Sequence, residues 1–316
     1  MSVLVSLVAL PLCAHSEGYP ERPIRLVVAT GSGGTADLVA RLIGQKLTET
    51  LGQQVIIDNR PGAGGVIGMN TVARANPDGY TLLLSTPSFT TAPALPPDSG
   101  LPFDPIADFS PITQTASQPY VLVVNPTLGV RSVKELIHVA RARPGQINFS
   151  SSGVGAGSHL VAELFKVMAS IDVVHVPYKG SAAALVDTVS GQVQMMFTGT
   201  LSGLPVVKSG KLRALGVTTV KRSRLLPDVP AIAEAVPGYD TTSWSGVLAP
   251  AGTPKSIVQS LNKQIVSILQ MEPVVDRLAS NGSEPLTGTP EEFSDFIRSD
   301  IAKWKKLVKD AGIKRH

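Results

Sequence analysis

Three features of the 316-residue chain predict an α/β protein built as two bodies. Short β-branched runs alternate with amphipathic helical stretches along its length, the pattern of strands packed between helices. The strands number about ten, which suits two sheets of about five better than one small sheet. The same unit of strand, Ser/Gly loop and helix occurs twice, once near the start and once in the middle.

The first unit opens with the apolar run Ile24 to Val28 and breaks into the loop Ala29 to Asp37. It continues with Val39, Leu42, Ile43, Leu47 and Leu51 at helical spacing. A helix that starts at a glycine loop leaves backbone N–H groups without intrahelical acceptors, and its dipole adds partial positive charge there. Such a loop suits a carboxylate or phosphate; a merely tight turn is the competing reading. Gln54 to Arg60 is a second strand, followed by the glycine loop Pro61 to Gly65, a helix from Val66 to Ala75 and the turn Asn76-Pro77-Asp78-Gly79. Tyr80 to Ser85 is a third strand, ending at the hydroxyls Ser85, Thr86 and Ser88. Proline-rich chain leads to extended segments at Ile112 to Thr115 and Tyr120 to Val124.

The second series starts there. Ser132 and Glu135 form a capping box for a helix through Ala140. Ile147 to Phe149 is a strand that runs into Ser150 to Ser158, and His159 to Val167 is the helix that follows. Val173 to Tyr178, Val193 to Phe197 and Leu212 to Thr218 are strands, with a helix over Ser181 to Val189. Trp244 to Ala249 is the last long strand. Two helices close the chain, one capped at Thr253-Pro254, the other by a capping box at Thr289-Pro290-Glu291-Glu292. This alternation predicts parallel sheets, with ligands at the C-terminal ends of the strands.

Composition narrows the function. Hydrophobic residues make up 43% of the chain, so a packed core is expected. The net charge is +4, aromatics are 5%, and the only tight basic cluster, Lys221-Arg222-Ser223-Arg224, has no aromatics between its charges. A nucleic-acid partner is therefore not expected. Met1 to Ala14 is apolar, too short to span a membrane, and suits a secretory leader over residues 1–16 with cleavage before Glu17. No Lys or Arg precedes the run. Cys13 is the one cysteine; a lipid anchor there is the less favoured alternative, because Leu12 is bulky for such a site. The mature chain then has no thiol for a disulfide, metal or nucleophile.

No Walker lysine follows the glycines, and no Gly-x-Ser-x-Gly elbow is present. Gly31-x-Gly33-x-x-Ala36 with Asp58 at the end of the next strand mimics a dinucleotide fingerprint. A nicotinamide-dependent oxidoreductase is thus the rival function. No histidine pair has metal-ligand spacing with a carboxylate, and neither metal nor cofactor is expected. Asp37 either caps its helix or meets a ligand's amine. His159 and His175 lie in apolar surroundings that suit buried histidines.

A series of short motifs resembles one family. It begins with Val27-Val28 before Gly33-Gly34-x-x-Asp37-x-x-Ala40-Arg41, Asp58 to Gly65, and Pro77 to Leu83. It continues with His175-Val-Pro-Tyr-Lys-Gly180, Gly210 to Leu215, Pro227-Asp-Val-Pro230 and Ala249-Pro-Ala-Gly-Thr-Pro254. Their order and spacing from Tyr19 to Lys314 are similar to the Bug family, extracytoplasmic receptors of tripartite tricarboxylate transporters. The resemblance implies a type II periplasmic-binding-protein fold that closes on an organic acid, partly through water, as a periplasmic, non-enzymatic and monomeric receptor for membrane transporter subunits.

Mapped onto this chain, domain one covers residues 17–118 and 242–316, and domain two covers 119–241. The ligand loops are Thr30, Gly31, Ser32, Gly33, Gly34 and Asp37 in the first unit, with Ser85 and Thr86 beside them. The second unit supplies Ser151, Ser152, Gly153, Gly155, Ala156, Ser158 and His159, and Thr198 lies near. Family members usually carry Pro-Phe-Pro where this chain has Ala29-Thr30-Gly31, and often Ser or Thr where it has Ala156. Neither loop contains Lys or Arg, so neutral donors and helix dipoles are expected to hold a carboxylate, with Ser151 as one direct donor.

Overall fold

The computed structural model describes residues 18–95, 100–224 and 226–313. The expected leader, its cleavage site and Cys13 lie outside them. In chain order the elements begin with β1 (Ile24–Val28), α1 (Thr35–Leu51), β2 (Val55–Asn59), α2 (Val66–Ala73), β3 (Thr81–Ser85), α3 (Ser88–Thr91), β4 (Phe109–Gln118) and β5 (Tyr120–Val124). Next come α4 (Val133–Ala142), β6 (Asn148–Ser151), α5 (Gly157–Ala169), β7 (Val174–Pro177), α6 (Ser181–Ser190), β8 (Met195–Gly199), α7 (Thr200–Lys208) and β9 (Arg213–Val217). The chain closes with β10 (Ser243–Pro250), α8 (Lys255–Leu269), α9 (Glu272–Ala279), β11 (Glu284–Pro285) and α10 (Pro290–Ala311).

The strands form two sheets, ordered β11-β4-β10-β3-β1-β2 and β7-β6-β8-β5-β9. The chain leaves the first sheet after Gln118 and enters the second at Tyr120; it returns to the first at Ser243. Both sheets are mixed, not parallel as the alternation predicts. β1 runs parallel to β2 and β3, while β10 is antiparallel to β3 and β4. In the second sheet β6 is parallel to β7 and β8, while β5 is antiparallel to β8 and β9. The antiparallel strands β4, β5 and β10 carry the crossovers. A strand that links two bodies cannot follow the right-handed strand-helix-strand path that makes neighbours parallel.

Local signals set the helix ends. At α10 the capping box is complete: Thr289 Oγ1 accepts from Glu292 N at 3.1 Å, and a Glu292 carboxylate oxygen accepts from Thr289 N at 2.8 Å. At α4 it is half formed. Ser132 Oγ accepts from Glu135 N, but the Glu135 carboxylate takes the Arg131 N–H instead. Thr253 does not cap α8: its hydroxyl donates to Pro250 O, and the chain turns there. The closing segment holds three helices, because Glu272–Ala279 folds as α9, a separate short helix with Pro273 in its first turn.

Apolar side chains fill both faces of each sheet. α10 is divided between the bodies. Phe293, Ile297 and Ile301 join Trp244 and Leu248 under the first sheet, whereas Trp304, Leu307 and Val308 join Phe165, Phe197 and Tyr239 under the second.

Candidate ligand-binding cleft

The first loop follows β1 and ends at α1. Gly33 has φ +83°, a left-handed conformation that glycine adopts without a Cβ penalty. No side chain caps α1 at Gly34, so the N–H groups of its first turn keep no partner within the helix. Asp37 is buried, and its Oδ2 accepts from Gly33 N and from Arg41 Nε, both at 3.0 Å. Burial pushes the Asp37 carboxyl up, but the hydrogen bonds from Arg41 and Gly33 outweigh it and hold it below the usual carboxylate range. Asp37 therefore braces the loop. Gly31, Ser32, Gly33 and Gly34 are exposed, and Thr30 is half-buried with its hydroxyl turned inward.

The second loop follows β6 and ends at α5, again with no side-chain cap, at Ala156. Ser151 is fully buried. Its Oγ lies 2.7 Å from His175 Nε2 and bonds both the N–H and the C=O of Gly153 at 3.1 Å. Through these bonds Ser151 shapes the loop. Ser158 Oγ accepts from Ser152 N and meets Ser152 Oγ at 3.0 Å. His159 is buried, and its Nδ1 accepts from Gly155 N at 3.1 Å. The His159 and His175 rings stack with centroids 3.9 Å apart, and Phe149 stacks on His175 at 4.8 Å.

Both histidines are neutral at pH 7. Burial lowers His159 from 6.5 to about 3, with His175 and Lys166 adding to the effect. Burial lowers His175 to about 4, with Lys166 again contributing. Burial raises the neighbouring Glu163 above its ordinary 4.5. In the unfolded chain both histidines titrate near their ordinary value, so the unfolded state takes up more protons as pH falls below about 6.5. Their contribution to stability is full above that pH and is lost as pH falls through about 4 and then 3. Glu163 acts in the opposite direction, losing stability as pH rises through its raised value. Thermal unfolding is expected to show a lower Tm at about pH 4.5 than at about pH 7, and a smaller difference in His175→Phe. A Tm that does not change over this range in the parent protein would refute the assignment.

Each loop lies beside a crossover segment. Gln118, the last residue of β4, donates from Nε2 to Thr35 Oγ1 in α1 at 3.2 Å. A Cβ on Gly199, which caps α7, would lie 3.3 Å from the same nitrogen. A Cβ on Gly157 would lie 2.3 Å from the Tyr120 hydroxyl and 3.5 Å from Pro87, next to Thr86. Thr91 Oγ1 donates to Gly155 O at 2.8 Å. A cavity of about 30 Å³ lies under α1, lined by Thr35, Thr86, Gln118, Ser243, Trp244 and Ser283 among others. That size suits water and not an organic acid.

Two further expected ligand residues lie at or next to the ends of strands. Ser85 is fully buried in β3, and its hydroxyl has no hydrogen-bond partner among the described residues. Thr198 packs its methyl toward Gly203 of α7, with its hydroxyl likewise unpartnered. Sequence reasoning missed Gln118, Thr35, Tyr120 and Thr91 as residues beside the two loops of the candidate cleft. Gln118-Pro119 falls where a crossover is expected, and that was the one usable signal. The dinucleotide reading finds no support: Asp58 is held by Arg25 and by Arg60 Nε, and so is not open to a ribose.

Two α/β bodies joined by crossing strands, with helix N-termini at the crossovers, define a solute-binding protein of the type II periplasmic fold. The chain belongs to the tripartite tricarboxylate transporter family receptors, whose pattern matches residues 39–313. It is 37% identical to the protein BugT of Bordetella pertussis over 308 residues, which span 97% of this chain and 94% of BugT. Rpa4515 of Rhodopseudomonas palustris, solved with adipate, superposes with a TM-score of 0.87 at 41% identity, over 94% of this chain and 99% of that one. MatC of the same organism, solved with malate, gives 0.81 at 31% identity, over 92% and 100%. The family is one of extracytoplasmic receptors.

Proposed function

We propose that this protein captures a small organic acid in the periplasm and delivers it to the membrane subunits of a tripartite tricarboxylate-type transporter. It acts as a monomer, without chemistry on the ligand. The observation that carries this reading is that two glycine-loop helix starts, at Gly34 and Ala156, each lie beside a crossover segment, and that neither loop supplies a Lys or Arg. Free backbone donors at helix N-termini suit a carboxylate. Adipate in Rpa4515 and malate in MatC support the same ligand class. In this reading, domain one is 17–118 with 242–316, domain two is 119–241, and the exported chain begins near Glu17. Mass spectrometry of the secreted fraction tests that N-terminus; an intact Met1 on a cytoplasmic protein would refute it.

A thermal-shift panel of mono-, di- and tricarboxylates tests the ligand class. A true ligand at 100 times its Kd is expected to add about 2.7 kcal/mol of stability, while NAD adds nothing. If no carboxylate raises the Tm, or if NAD does, the reading fails. Gly34→Val probes the site without disturbing the fold. Gly34 has φ −88°, and a Cβ there meets nothing within 4 Å. The variant is expected to keep the parent Tm and to lose about tenfold or more in affinity, because the side chain stands where the ligand approaches the first turn. Unchanged affinity by calorimetry would remove the first loop from the site.

A further inference from the structure

The two loops share one construction. Asp37 and His159 are each the third residue of their helix, and each accepts the N–H of the glycine four residues back. Both glycines, Gly33 and Gly155, are left-handed, with φ +83° and +77°. The acceptors differ in charge. In the first loop the acceptor is a carboxylate, paired with Arg41. In the second it is an imidazole nitrogen, which can accept only while it carries no proton. The His159 proton therefore sits on Nε2, 3.8 Å from Glu163 Oε1. His175 stacks on His159 and holds Ser151, which in turn fixes both backbone groups of Gly153.

We propose that His159 and His175 are positioning residues that fix the donors of the second loop with an uncharged, stacked imidazole pair, leaving no negative charge in the first turn of α5. The charged groups around the pair are Glu163 and Lys166 on α5, with Asp172 beyond Lys166. An acid in the first turn would offset the field of the helix N-terminus and repel a carboxylate bound there. The first loop carries such an acid and needs Arg41; the second needs no counter-ion. This proposal rests on the carboxylate reading above.

Three variants separate geometry from charge, read by calorimetry with the acid that the panel identifies. His159→Asn keeps an acceptor near the position of Nδ1 and is expected to bind within about threefold of the parent. His159→Asp keeps an acceptor, as Asp37 shows, but adds charge, and is expected to bind about tenfold or more weakly. His159→Leu removes the acceptor and is expected to lose at least about tenfold. If Asp binds as well as Asn, or if Asn is as weak as Leu, the proposal is overturned. Ring nitrogen shifts of the ligand-free parent at about pH 7 decide it independently of any ligand or variant. His159 is expected as the neutral Nε2–H tautomer; an imidazolium or an Nδ1–H ring overturns the proposal. A parent that binds no carboxylate defeats the proposed function, while the nitrogen shifts still judge the pair.

Discussion

Trp304→Ala is expected to lower the stability of the protein by about 3–5 kcal/mol, the range for truncating a buried aromatic. Trp304 is 3% exposed and packs in the core under the second sheet, although α10 starts on the first. Its Nε1 has no hydrogen-bond partner among the described residues, so the loss is one of packing and buried area, together with the Lys303 ammonium 5.2 Å from the ring centroid. The same substitution loosens the seam between the bodies. That seam also includes the Thr91 hydroxyl bond to Gly155 O at 2.8 Å and the Lys303 bond to Asp240 O at 3.0 Å. Chemical denaturation monitored by circular dichroism measures the effect. A loss below about 1 kcal/mol would show that the C-terminal half of α10 does not tie the bodies together.

Gly155→Val is expected to destabilise by about 2–5 kcal/mol and to abolish ligand binding. Gly155 has φ +77°, where a β-branched residue is strained, and a Cβ there would lie 2.3 Å from Leu95 Cδ1. Relief would require moving the loop or Leu95, and the loop is held by Thr91 at Gly155 O and by His159 at Gly155 N. The contrast with Gly34→Val is the informative part. Both substitutions put the same side chain on a glycine loop of the candidate cleft, but only Gly155 is confined by φ and by a neighbour. A Gly155→Val protein with a Tm within about 1 °C of the parent would contradict the packing described here.

The sequence by itself determined the order of the longer strands and helices apart from α3, α7, α9 and β11, along with the repeated strand-loop-helix unit, the capping box of α10 and the positions of both glycine loops. It also determined that the chain changes sheets near residue 118 and returns near 243. These features arise from local stereochemistry: apolar periodicity, glycine conformations and caps act within a few residues of one another. Only the tertiary structure decided how the hydroxyls near the loops are engaged within the protein. Ser151 is engaged by His175, 24 residues away in sequence, while Thr198 packs its methyl toward Gly203 of α7 and leaves its hydroxyl without a partner among the described residues. Its loop hydroxyls looked equivalent in one dimension because a Ser or Thr has no sequence signature for the partner it will meet. The split of α10 between two cores has the same origin. Its apolar stripe is continuous from Phe293 to Val308, and periodicity fixes which face is buried but not against what. The antiparallel strands, the Gln118 contact between α1 and the crossover, and the stacked histidines were likewise set by where the two bodies meet, through contacts between residues far apart in the chain.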